Sequence, residues 1–158
     1  MLDVSLGATY WFLGLAAASL VVVGVAADLP TRPPPDASAA ANTVDALAAS
    51  EYAGTATHPV EASAVRVTAH SLALRSSAGA SHATFAFAPV TPAPPDSALA
   101  AVARGAPPGE AFDSPRALAA AAAAARRNAR DAAWRPASDS LRVRRVNWGD
   151  VRVTLVLA

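Results

Sequence analysis

Residues 10–27, YWFLGLAAASLVVVGVAA, carry neither charge nor proline. No other stretch of this 158-residue chain constrains its folding so tightly. Eighteen helical residues rise about 27 Å, close to the roughly 30 Å hydrocarbon thickness of a bilayer. Tyr10, Trp11 and Phe12 open the run, where an interfacial aromatic belt belongs, and Asp28, Pro30 and Arg32 close it. The run therefore reads as an anchor helix within a segment 1–28. Two other readings compete. Val25, Ala26 and Ala27 are the small residues a signal peptidase requires, but no Lys or Arg precedes the run. A buried core helix would need a larger partner surface than a chain of this size provides.

Residues 29–35, LPTRPPP, follow as a stiff extended linker, because consecutive prolines favour polyproline II and stop a helix. The remaining segment, 36–158, has the length of one small domain. Its core must be built mainly from Ala, Val and Leu, since Phe, Trp, Tyr and Met together number only 10 in the whole chain.

Helix and strand signals alternate along this segment. Asp36 caps a helix over about 37–50, with Ala40, Val44, Leu47 and Ala48 on its apolar face. Residues 51–62 read as loop. Val65 and Val67 lie on one strand and Leu72 and Leu74 on the next, out of phase, so His70-Ser71 is a bulge or turn. Residues 76–81 read as a hairpin loop and 82–88 as a strand with Phe85 and Phe87 on one side. PVTPAPP at 89–95 reads as a second connector.

Asp96 starts a short helix to Arg104, with Leu99, Val102 and Ala103 inward and Gly105 as its stop. Asp113-Ser114-Pro115 starts another, expected to run to about Ala133 through seven consecutive alanines, with Trp134 folding back on the core. Arg126, Arg127 and Arg130 near its C-terminal end complement the helix dipole. Strands over 140–148 and 151–157 form a closing hairpin around Gly149-Asp150, a type II′ turn. The expected fold class is α+β: an N-terminal transmembrane helix, then a small antiparallel sheet of about five strands with about three helices packed on one face.

Chemistry is sparse. Without Cys there are no disulfides, no thiolate catalysis and no Cys-type zinc site. His58, His70 and His82 are spaced by twelve, with no carboxylate at ligand-like spacing, and they read as turn or surface residues. No serine lies in a G-x-S-x-G elbow, no glycine-rich loop cradles phosphate, and the carboxylates form no acid/base pair. The expectation is therefore a non-enzymatic protein with no catalytic residues, no metal and no cofactor.

Charge is uneven. Residues 1–103 hold three Arg against seven acids, and residues 104–158 hold ten Arg against five. Arg142, Arg144 and Arg145, with Trp148 nearby, are the one basic and aromatic cluster and the candidate interaction surface. A short cluster on a chain of net charge +1 gives nucleic acid little support. Anionic lipid fits a tethered domain better.

The single span, then PTRPPPDASAA, NTVDALAASEY, HATFAFAPVTP and VRRVNWGDVRVTLV, resemble a small haloarchaeal family of membrane-anchored proteins of unknown function. The resemblance covers nearly the whole chain and carries no mechanistic motif. It implies an anchor, no known activity and an extracellular C-terminal domain. The positive-inside rule, applied to Arg32 alone, points to the cytoplasm instead. The layout also resembles type IV pilins, but the prolines at 30–35 interrupt the spine helix and the early apolar run lacks the pilin Glu. The expected role is a membrane-tethered interaction or structural domain, an accessory subunit of a cell-surface or secretion assembly. Its partners would be lipid, through the N-terminal helix, and proteins of that assembly. The alternative is an anchored or secreted module that binds a small ligand or anionic lipid through the Arg-rich hairpin.

Overall fold

The computed structural model describes residues Pro33–Ala158, which form one compact unit. The anchor expected over residues 1–28 lies outside the described residues, as does most of the linker. Among the described residues, no helix is long and apolar enough to cross a membrane. The unit is α+β, as the alternation of signals predicts.

Its frame is the closing hairpin. Strands β7 (Ser140–Trp148) and β8 (Val151–Leu157) pair antiparallel from Trp148↔Val151 to Arg142↔Leu157. Gly149 has φ +58°, and no described residue other than glycine has positive φ, so Asp150 stays at negative φ. That combination suits the expected type II′ turn.

Two further strands complete this sheet, and neither was expected. Strand β1 (Gly54–Pro59) lies within the segment read as loop and pairs antiparallel with β7, from Gly54↔Arg145 to Pro59↔Ser140. Its Thr, Ala and His side chains lack the apolar alternation of a half-buried strand, and Pro59 fits the strand's end. Strand β5 (Thr91–Pro92) lies in the proline-rich segment read as a connector and pairs parallel with β8. Val90, Thr91 and Ala93 are buried there, so this segment is core and the sheet is mixed. The sheet order is β1-β7-β8-β5.

A second sheet has the order β4-β3-β2-β6, from β2 (Ala64–Val67), β3 (Ser71–Ser76), β4 (Gly79–Thr84) and β6 (Arg135–Pro136). The out-of-phase valines and leucines are cross-strand partners, Val65↔Leu74 and Val67↔Leu72. The loop between them is a turn. Thr68 Oγ1 accepts from the backbone N–H groups of His70 and Ser71, at 3.2 and 2.9 Å.

The next hairpin is tighter than expected, since Ser76 pairs with Gly79 and β4 ends at Thr84. Phe85 is buried, but Phe87 is 55% exposed. The cause is Asp45, whose carboxylate accepts from the N–H groups of Ala86 and Phe87, each at 3.0 Å, and so fixes a turn where alternation alone predicts strand.

Four helices complete the described residues. Helix α1 (Ala37–Ala48) is capped by Asp36, which accepts from Ala39 N at 2.9 Å. It buries Ala37, Ala40, Ala41 and Val44 against both sheets. Ahead of it, the Pro35 carbonyl accepts from the Ser81 hydroxyl, which ties the end of the proline segment to β4. Helix α2 (Ala98–Arg104) is capped by Ser97, not Asp96. It buries Leu99, Val102 and Ala103 as expected and stops at Gly105, φ +129°.

After the single turn α3 (Pro108–Ala111), helix α4 (Pro115–Asn128) starts with Ser114 as cap and Pro115 in its first turn. It buries Leu118, Ala122 and Ala125. It ends five residues before the expected Ala133, because Arg135 and Pro136 must reach the edge of β2. Trp134 does not fold onto the core. It lies under the guanidinium groups of Arg75 and Arg66, at 4.1 and 4.9 Å from its ring centroid.

The sheet containing β8 separates two cores. Leu141, Val143 and Val156 join the core beneath α1 and the second sheet. Val146, Val153 and Leu155 join the core beneath α2 and α4. Helices therefore cover opposite faces, not one. Leu155→Ala is expected to lower the unfolding free energy by about 2–5 kcal/mol in urea titration, as for other fully buried leucines. Asp45→Ala, which hands two exposed N–H groups to water, is expected to cost about 0.5–1.5 kcal/mol in the same measurement.

Candidate functional site

Strand geometry decides what becomes of the four residues singled out in the closing hairpin. Successive side chains on a strand point to opposite faces. Arg142, Arg144 and Trp148 lie on the face toward α2 and α4, with Val146 between them. Arg145 lies on the other face, with Leu141 and Val143.

Arg144 is half-buried and committed. Its Nη1 donates to the carbonyls of Val102 and Ala106, the latter at 2.8 Å, at the C-terminal end of α2. The last carbonyls of a helix have no partner within it, and a guanidinium supplies one. Arg145 donates through Nη1 to Thr154 Oγ1 at 2.9 Å, while its buried Nε has no partner. Trp148 packs against the α2 and α4 core, within 3.8 Å of where a Cβ on Gly109 would stand. Arg142 is half-buried. The structure therefore does not gather the four into one patch. Arg144 and Arg145 bind the fold together.

A different set of arginines converges. Ala123, Arg126 and Arg127 follow the i, i+3, i+4 spacing of one face of α4, and Arg130 follows in the turn just beyond Asn128. With Thr68, Ala69, His70, Ser71 and Pro89 they line a cleft of about 680 Å³. Every carboxylate is missing from this lining, and its three guanidinium groups are the fixed charges.

Both walls are held in place. Arg126 Nη1 donates to Thr91 Oγ1 at 2.8 Å, and Thr91 on β5 is fully buried. Opposite, the β2–β3 turn is held by Thr68 Oγ1, which also lies 2.9 Å from Ser71 Oγ. The carbonyls of Ala69 and His70 accept from Val90 N and Phe85 N, each at 2.9 Å. Arg127 and Arg130 are exposed at the rim.

The spacing of these arginines is visible in the sequence, where it reads as a complement to the helix dipole. The opposing turn is 55 or more residues away in the chain and leaves no such signal. The histidines stay apart: His58 Nδ1 lies 3.1 Å from Thr43 Oγ1, His70 is in the turn, and His82 pairs with Ala73 on β4. Among the described residues, no group of three or more His, Cys, Asp or Glu could hold a metal ion.

Fold and cleft together define a small α+β domain that carries a basic cleft between a helix and a turn. The chain matches a family of unknown function, DUF7283, over residues 3–146, and belongs to that family. No curated protein matches it, and no solved structure matches it.

Arg144→Ala takes the guanidinium from the Ala106 carbonyl, while Val102 keeps the Gly105 N–H, and is expected to cost about 1–3 kcal/mol. Arg142→Ala is expected to stay within about 0.5–1 kcal/mol. Chemical denaturation of the two variants side by side reads the difference.

Proposed function

We propose that this protein is a membrane-tethered, non-enzymatic interaction domain, held at a cell surface as an accessory part of a larger assembly. One observation carries the reading: an uncharged apolar run at residues 10–27 precedes, by a proline-rich segment, a compact unit that begins at Pro33. An eighteen-residue apolar run suits a bilayer, and the prolines would space the domain from its surface.

The resemblance to haloarchaeal membrane-anchored proteins supports the same arrangement. It also supports a domain outside the cell, against the weak vote of Arg32. The partners are lipid for residues 10–27 and other proteins of the assembly for the domain.

The test is fractionation of cells that express a C-terminally tagged chain, followed by protease treatment of intact cells. The expected outcome is a tag that sediments with membranes, resists alkaline carbonate, and is digested from outside. A tag that stays in the soluble fraction or is found free in the medium overturns the tether. A membrane-bound tag protected in intact cells overturns the surface location.

A further inference from the structure

The cleft between α4 and the β2–β3 turn has features that the reading above does not use. Its volume, about 680 Å³, falls within the roughly 300–1,000 Å³ typical of small-ligand sites. Its charged lining has one sign. Arg126 and Arg127 come from the last turn of α4 and Arg130 from the turn just beyond it, and all three line one space.

The helix supplies that space by what it omits. Ala123 stands one turn before Arg126 and Arg127 on the same face, and an alanine side chain leaves the floor open between the arginines and the turn. Thr91 fixes Arg126 by a single hydrogen bond through Nη1. A guanidinium has five N–H donors, so most of that group's capacity is not spent on Thr91. The opposing turn is set before any ligand arrives, by hydrogen bonds through Thr68 Oγ1 and the carbonyls of Ala69 and His70. Preorganised walls lower the cost of binding.

We infer that this cleft binds a small molecule carrying a phosphoryl group with more than one negative charge. The guanidinium fork matches phosphate oxygens in pairs. One carboxylate would engage one such fork, whereas a multiply charged phosphoryl group offers enough oxygens for Arg126, Arg127 and Arg130 together. The same chemistry has two sources: a soluble phosphorylated compound, or the phosphomonoester of a lipid headgroup. The inference does not rest on tethering, and its failure would leave the membrane reading untouched.

The experiment is calorimetric titration of the full chain, in an uncharged detergent, with inorganic pyrophosphate and separately with glycerol phosphate, the soluble headgroup of a phosphomonoester lipid. Pyrophosphate is expected to bind, and more weakly as salt is added. Arg127→Ala with Arg130→Ala is expected to weaken binding at least about tenfold, since both arginines are rim-exposed donors of charge-assisted bonds.

Arg127→Lys with Arg130→Lys keeps the charge without the fork, and an intermediate loss is expected. Arg142→Ala with Arg152→Ala removes equal charge elsewhere and is expected to leave affinity within about twofold. Equal thermal midpoints without ligand establish that the variants fold. Stronger binding of glycerol phosphate than of pyrophosphate identifies the headgroup as the source and supports the phosphoryl site. Binding of neither probe overturns the inference. So does an equal loss in the α4 and control pairs, or an unchanged affinity in the Arg127 and Arg130 variants.

Discussion

Strand β8 has no solvent face over most of its length. Thr154, Leu155 and Val156 are all buried, and they point alternately into two separate cores. A strand buried on both sides reads as a continuous apolar run, and V-T-L-V-L obeys that rule at the end of the chain. Its two edges are also occupied, by β7 on one side and β5 on the other. The second sheet, α1, α2 and α4 all depend on this strand, directly or through β7. A cavity here would loosen both cores at once, because interiors are packed at crystal-like density and relax only partly.

The same strand pair explains how the protein uses its arginines. A chain without lysine must put guanidinium groups wherever it needs a cation or a multiple donor. On β7, Arg144 serves the carbonyls at the end of α2, where Gly105 and Ala106 N–H groups already take Val102 and Ala101. Arg145, on the opposite face, reaches Thr154 across the hairpin. On the second sheet, Arg66 and Arg75 both lie against the ring of Trp134, which offsets the repulsion of two like charges by attraction to one π-system. These arginines are structural adhesives. The arginines at the C-terminal end of α4 differ, since Arg127 and Arg130 stand exposed beside a cleft.

Much of the fold was legible because local chemistry decided it. Asp36, Ser114-Pro115, Gly105 and Gly149-Asp150 are caps and turns whose function needs no distant partner. The closing hairpin and the hairpin of β2 and β3 follow from alternation for the same reason. What was not legible is tertiary. β1 is a strand because β7 offers it an edge, although GTATHP has little strand character of its own. TP at β5 is a strand because β8 has a free edge that the short segment fills in parallel. Phe87 leaves the strand because Asp45, about forty residues earlier, captures two N–H groups. The four hairpin residues divide by a simpler rule: adjacent residues on a strand face opposite ways, so Arg145 leaves the face that Arg142, Arg144 and Trp148 share. Arg126 and Arg127 obey the helical rule that their spacing advertises, and Arg130 follows in the next turn, but the wall they face comes from the β2–β3 turn.

The alanine run connects stability with the cleft. Seven alanines at 119–125 have the highest helix propensity, and their small side chains let α4 lie close over β8 and β5. Leu118, Ala122, Ala125 and Ala129 face the core and Ala123 faces the cleft, so one run of identical residues serves two surfaces. Close approach brings Arg126 within reach of the buried Thr91, which a bulkier face would hold apart. That bond links the last turn of α4 to β5, and β5 to β8. The position of the basic cleft is thus set by the same strand that carries both cores, and a ligand held by Arg126 would be held, through Thr91, by the most constrained part of the molecule.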